Sequence, residues 1–250
     1  MSVIEATSSI ASAWDRYAVT YQNAARLGTD VIGYGPGAGV DTDYRLVGSI
    51  SGKRVIDLGC GGGQNSIAFA KMGAVSIGID ISVEQLAYAR RLIEQEEVRV
   101  ELKHGDLAEM AFQRADTIDV AFSAMAFQYV PDLSRVFRQV HRVLKPQGAW
   151  IFSIPHPAAA LTGQPSTVIR AGKQLSIEPT ATVIERSYFD RSPLEDTFEN
   201  LVFTEYHRPI SDIFMGLTRT GYRVDVILEP ELENDSIVPK VLIIRARKES

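Results

Sequence analysis

The segment Val55-Ile56-Asp57-Leu58-Gly59-Cys60-Gly61-Gly62-Gly63-Gln64-Asn65 constrains this chain more than any other. It reads as a short apolar strand ending in an acid, then a glycine-rich turn, then the start of a helix. Glycine lacks a Cβ and tolerates positive φ, so such a turn lets the backbone approach a ligand closely. The helix behind it presents unpaired N–H groups to that ligand. The unit is the grammar of a nucleotide-type pocket in an α/β sheet.

The pattern downstream agrees. Strands are predicted at Arg54–Asp57, Val75–Asp80, Val98–His104, Ile118–Ser123 and Ala149–Ile154. Helices are predicted at about Gln64–Met72, Val83–Glu96 and Leu133–Leu144, the last stopped by Pro146 and Gly148. Ser82 stands at an N-cap with Gln85 three residues on, as in a capping box. This βα alternation predicts a parallel sheet with helices on both faces, joined by right-handed crossovers. After Pro155 the grammar changes. Thr182–Phe189 and Leu201–Tyr206 read as two strands joined by a polar turn around Asp190–Glu199, followed by a helix at Ile210–Thr220 and strands at Tyr222–Leu228 and Val241–Arg247. Residues 156–208 are therefore expected to be an insertion over the carboxyl ends of the strands, where open α/β sheets bind ligands and where long loops act as lids. Ahead of the sheet, residues from about Ile4 to Ala25 have helical spacing with Ile10, Trp14, Tyr17 and Tyr21 on one face, and Gly28–Gly39 reads as a loop. Residues 1–45 thus form an N-terminal helical lid segment of a single domain spanning 1–250.

Composition narrows the partners. A formal net charge of −5 with no long Lys/Arg run lacks the footprint of a nucleic-acid binder. No apolar run approaches the roughly 20 residues of a membrane span, and the first residues do not read as a secretory signal. Cys60 is the one cysteine, which precludes an intrachain disulfide and fits a reducing cytoplasm. Neither nucleic acid nor membrane is expected as a partner, no metal site is expected, and a homodimer is left open.

The glycine turn departs from a dinucleotide fingerprint, G-x-G-x-x-G, in an informative way. Gly59 and Gly61 match, but the third position is Gln64, and Asp57 stands two residues before Gly59. A carboxylate there opposes a pyrophosphate and suits a cationic amine. Asp80, at the end of the second strand, is placed to accept from ribose hydroxyls. Asp106, after the third strand, is placed to accept from an adenine amino group; its other reading is a helix N-cap. An amine, a ribose diol and an adenine without phosphates describe S-adenosylmethionine.

On these residues the chain resembles the class I S-adenosylmethionine-dependent methyltransferases. The matching pieces, in the family's order, are Val55–Gly63, Gly78-Ile79-Asp80-Ile81-Ser82 with Gln85, His104-Gly105-Asp106-Leu107, Asp119–Ser123 with Phe127–Asp132, and Arg142–Gly148. Trp14-Asp15-x-x-Ala18-x-x-Tyr21 is similar to the lid helix of the ubiquinone-biosynthesis-like, small-molecule branch. The resemblance implies a Rossmann-like, seven-stranded, mostly parallel sheet with the last strand antiparallel. It implies backbone contacts from Gly59, Cys60 and Gly61 to the methionine part, with Asp57 near its amine and Asp80 on the ribose. Ile81 and Leu107 would flank the adenine, Asp106 would meet its amino group, and Gln85 belongs to the same acidic-loop motif. Ser123 would offer its backbone near the amine, and Tyr21 would close over the methionine end. Gln147-Gly148 replaces the family's commoner Gly-Gly at a structural turn.

The implied reaction is methyl transfer to an oxygen, nitrogen or carbon of a small molecule, an aromatic or heterocyclic metabolite being favoured by the aromatic residues of the lid region. His156, in Pro155-His156-Pro157 directly after the fifth strand, and His207, in Tyr206-His207-Arg208-Pro209, are the candidate general bases, because imidazole titrates near neutrality. Each also reads as a loop-orienting residue. The rival readings are an NAD(P)-dependent oxidoreductase, against which Asp57 and Gln64 argue, and a non-catalytic cofactor-binding protein that kept the fold.

Overall fold

The computed structural model describes residues 2–162, 184–231 and 238–249. Helix α1 (Val3–Ala25) starts with a reciprocal capping box, in which Ser2 Oγ accepts from Glu5 N and Glu5 Oε2 accepts from Ser2 N. A single turn, α2 (Asp41–Tyr44), closes the glycine-rich loop that follows. Five strands then alternate with helices: β1 (Arg54–Leu58), α3 (Gln64–Lys71), β2 (Val75–Asp80), α4 (Val83–Gln95), β3 (Val100–His104), β4 (Ile118–Ala124), α5 (Leu133–Val143) and β5 (Leu144–Pro155). A hairpin, β6 (Leu194–Phe198) and β7 (Leu201–Glu205), precedes α6 (Ile210–Thr220), β8 (Tyr222–Leu228) and β9 (Val241–Lys248).

The main sheet has seven strands in the order β3-β2-β1-β4-β5-β9-β8. Strands β1 to β5 are parallel, and β9 lies antiparallel between β5 and β8. Both faces are covered, which is why the central strands are near-continuous apolar runs. Period-two alternation sorts their side chains into two cores. Ile56, Leu58, Trp150, Phe152, Leu242 and Ile244 pack under α5 and α6, with Val136, Phe137, Val140 and Leu217. Val55, Val120, Phe122, Ile151 and Ile243 pack on the other side with Phe69 of α3 and Tyr34 of the N-terminal loop. A third, smaller cluster lies outside the sheet: Ile10, Ala13 and Tyr17 of α1 pack on Leu201 and Phe203 of β7 and on Tyr129. Trp14 sits edge-on to Tyr129 at 5.5 Å and to Phe203 at 5.3 Å between ring centroids, so α1 and the β6–β7 hairpin form one composite cover.

Three predicted elements differ from those observed. The hairpin is β6 with β7 and turns at Glu199-Asn200, both with positive φ, 49° and 63°, as a two-residue type I′ turn requires. Of the predicted strand Thr182–Phe189, Thr182 and Val183 lie outside the described residues, and Ile184–Phe189 forms bends and a turn. Strand β5 begins at Leu144, ahead of the predicted Ala149, because the Pro146–Gly148 turn is taken as an irregularity within its pairing to β4. The capping box at α4 is half made: Ser82 Oγ accepts from Gln85 N at 3.1 Å, while the Gln85 side chain is engaged elsewhere.

Candidate functional site

The chain reverses its direction of travel across the sheet between β1 and β4, and ligands of open α/β sheets bind outside the strand ends at such a point. A cavity of about 370 Å³ lies there. The ends of four strands build its floor: Asp57 and Gly59 from β1, Asp80 from β2, Asp106 following β3, and Ala124 with Met125 from β4. Helix α1 supplies the roof through Trp14, Tyr21 and Gln22, and the loop from Gly33 to Val40 closes one side.

The glycine turn has three positive φ values, 72° at Gly59, 53° at Gly61 and 80° at Gly63. A Cβ on Gly59 would come within 2.4 Å of the Ala126 Cβ, and one on Gly62 within 2.6 Å of Gln22 Nε2. Asp80 secures the turn: its Oδ2 accepts from Gly61 N at 2.7 Å and its Oδ1 from Ser82 N at 2.9 Å. Asp57 accepts from Ser66 Oγ at 2.7 Å. Burial pushes the Asp57 carboxyl up to about 7, opposed by the Ser66 hydrogen bond and reinforced by the nearby Asp80. Asp80 is also raised by burial, against the pull of its backbone donors. The Cys60 thiol is pushed up by burial and by both aspartates, which makes it a poor nucleophile. Asp106 Oδ1 accepts from Ala108 N at 2.8 Å, a local turn bond.

Ten of the residues singled out in the sequence line this one cavity: Tyr21, Asp57, Gly59, Cys60, Gly61, Asp80, Ile81, Gln85, Asp106 and Leu107. Ser123 does not line it. Its side chain is fully buried, and Oγ donates to Leu58 O at 2.7 Å, tying β4 to β1. His156 and His207 lie elsewhere, in a second cavity of about 130 Å³ behind the 126–131 segment. His156 Nδ1 accepts from Ala158 N at 3.0 Å, so Nε2 carries the proton and donates to Glu229 Oε1 at 2.7 Å. Its pKa is lowered, burial outweighing Glu229. His207 Nε2 donates to Tyr188 O at 2.9 Å. Both imidazoles thus hydrogen-bond to loop residues, and neither lines the larger cavity.

Two features of the cavity escaped sequence reading. Gln22 joins Gln64 and Gln85 in a buried amide relay: Gln64 Nε2 donates to Gln22 Oε1 at 2.5 Å, and Gln22 Nε2 donates to Gln85 Oε1 at 2.7 Å. Met125 has φ 53° and is buried, whereas the other seven non-glycine residues with positive φ are all exposed. Its N donates to Ser153 O and its O accepts from Gln128 Nε2. Its side chain fills the space that a Cβ on Gly35 would need, with Cγ 2.5 Å away. No local pattern announces either feature, because each joins residues more than forty positions apart.

The donor set selects a ligand. The charged lining is Asp57, Asp80 and Asp106 against the single cation Arg26, which is exposed; neither histidine nor lysine is among the described lining residues. Buried carboxylates beside a glycine cradle fit a ligand with a cationic amine and a diol, and disfavour a pyrophosphate.

Residues 55–148 match the methyltransferase domain family. Among curated proteins, the ubiquinone biosynthesis O-methyltransferase of Bordetella avium (strain 197N) is 37% identical over 107 residues, which are 43% of this chain and 44% of that protein. The chain thus spans less than half the length of the curated relatives it matches. Among solved structures, a Listeria monocytogenes protein assigned as an S-adenosylmethionine-dependent methyltransferase superposes with a TM-score of 0.70 at 25% identity, covering 83% of this chain and 96% of that one. An S-adenosylmethionine-dependent methyltransferase from Mesorhizobium loti gives a TM-score of 0.66 at 26% identity, covering 82% and 95%.

Proposed function

We propose that the chain is a class I S-adenosylmethionine-dependent methyltransferase that transfers the methyl group of S-adenosylmethionine to an oxygen of a small, largely apolar acceptor, a reading supported by its methyltransferase-domain match and its structural neighbours. The observation that carries the reading is the pair of buried carboxylates, Asp57 and Asp80, bracketing a glycine turn in a cavity with one exposed cation. The O-methyltransferase relatives and the apolar cover of Trp14, Val130 and Pro131 support the acceptor class.

When bound, S-adenosylmethionine supplies an electrophilic methyl on a sulfonium. The chain's own residues do the rest. Gly59, Cys60 and Gly61 give close backbone approach to the methionine part, and Asp57 takes its amine. Asp80 takes the ribose hydroxyls while keeping the turn in place through Gly61 N and Ser82 N. Ile81 and Leu107 flank the adenine, with Asp106 at its amino group. Tyr21, whose phenol burial keeps neutral, closes the methionine end. The α1 and β6–β7 cover excludes water and aligns the acceptor, a contribution worth about 7–11 kcal/mol in well-oriented reactions. No histidine base is assigned, because both imidazoles face the second cavity. A reducing cytoplasm suits the buried Cys60 thiol.

Calorimetric titration with S-adenosylhomocysteine and, separately, NAD tests the reading. Binding of the first and not the second is expected, and the reverse would overturn it. Asp80→Ala should weaken S-adenosylhomocysteine at least tenfold, about 1.4 kcal/mol. Labelled S-adenosylmethionine incubated with a panel of phenols, catechols and heteroaromatic amines should then transfer label. Cofactor binding without transfer to any acceptor would favour a non-catalytic role.

A further inference from the structure

Gln64 stands where a dinucleotide fold has its third glycine, and the structure shows what the larger side chain does. Gln22, Gln64 and Gln85 are 4%, 6% and 2% exposed, and all three line the cofactor cavity. Gln22 lies in the last turn of α1, which ends at Ala25 with Arg26 in the left-handed region, φ 44°. Its amide accepts from the first residue of α3 and donates to α4, directly over Gly62. Upstream, α1 is anchored independently. Asp15 Oδ1 accepts from Ser82 Oγ at 2.7 Å and Glu84 N at 3.2 Å, and Trp14 and Tyr17 sit in the aromatic cluster. Downstream, Gly28 touches nothing that a Cβ would meet within 4 Å. Within the last turn Tyr21 packs back on Trp14 and Tyr17 of the same helix, so the Gln22 amide supplies the hydrogen bonds that tie this turn to α3 and α4. Its residues Tyr21, Gln22, Arg26 and the adjoining Leu27 all line the cavity.

We propose that the last turn of α1 is the gate to the cofactor site and that Gln22 is its latch, so that opening of the Gln22–Gln64–Gln85 relay sets how fast the cofactor enters and its product leaves. The proposal rests on the methyltransferase reading for the identity of the ligand. Three neutral amides suit a reversible latch, because amide hydrogen bonds exchange for water at small net cost. Gating of this kind controls turnover in many enzymes through product release. Gln22 is a positioning residue here, acting on the glycine turn through Gln64 and Gln85.

Rapid mixing with tritiated S-adenosylhomocysteine, chased by unlabelled ligand, reads both rates. Gln22→Ala should accelerate dissociation and association alike, each at least fivefold, leaving affinity little changed. A residue that merely supported the site would speed dissociation and leave association unchanged or slower, and that result overturns the latch. Gln22→Met keeps the volume over Gly62 but makes neither hydrogen bond, so it should match Gln22→Ala; wild-type rates in Gln22→Met overturn the role of the amide. The double variant Gln22→Ala/Gln85→Ala should be no faster than Gln22→Ala, since one relay is broken only once. Absence of S-adenosylhomocysteine binding by the wild-type protein would defeat the cofactor reading. Binding with unaltered rates in the variants would defeat the gate alone.

Discussion

The buried Asp57 carboxyl gives the molecule a marked pH dependence, in the same direction as that of Asp80. Asp57 is raised from its ordinary value to about 7, so the folded state holds a proton that the unfolded chain releases near 3.8. Stability of the ligand-free protein therefore falls as pH rises from about 4 to about 7 and levels off above, a loss of order 4 kcal/mol. Urea denaturation at pH 5 and pH 8 should show about two-thirds of this loss in the wild-type protein and much less of it in Asp57→Asn. Ligand binding runs the other way. A cationic amine favours the carboxylate, so S-adenosylhomocysteine affinity should rise with pH up to about 7 and then flatten, with proton uptake by the buffer visible in calorimetry below that point. Met125 adds a conformational constraint at the same scale. Its left-handed backbone matches glycine's freedom, whereas Gly35 has no room for a methyl group. Gly35→Ala should destabilise by about 1–3 kcal/mol, and Met125→Gly should lose side-chain packing while relieving backbone strain.

Between elements, turns decide where strands begin and end. Gln147, in the Pro146–Gly148 turn, has φ 64°, and a Cβ on Gly148 would approach Lys145 O at 2.8 Å. The second position needs glycine for space and the first prefers it for conformation. Gln147→Gly should therefore stabilise by up to about 1 kcal/mol in denaturant titration. The strands and helices of the central sheet were legible because each carries its own period and its own stop signal. In the hairpin, β7 was legible at Leu201–Tyr206 and β6 was not. Leu194-Glu-Asp-Thr-Phe198 is acid-rich and looks like a turn, while the apolar residues of Thr182–Phe189 look like a strand. What makes β6 a strand is its pairing with β7 and the cover that Phe198 forms on Tyr17, which no window of five residues contains. The glycine cradle and its two aspartates were readable for the opposite reason, since β1, β2 and their turns present them locally. The latch glutamine lies on a helix whose spacing predicts only an apolar face.

The whole molecule is a sheet whose binding site sits near its middle and whose earliest strands flank it. Strand β9 lies inside the sheet, pairing Ala149–Pro155 of β5 on one side and Tyr222–Leu228 of β8 on the other. Its residues Val241–Ile244 are at most 1% exposed. A truncation after Lys240 should abolish cooperative unfolding, because it opens both cores and strips β8 of its partner strand β9. The order of synthesis gives this arrangement a temporal meaning. The ribosome delivers β1 to β4, and with them the whole glycine cradle, long before the strand that seals the two cores. Domains close as cooperative units, so a nascent chain bearing a finished pocket sequence waits about a hundred residues for the strand that makes the pocket permanent.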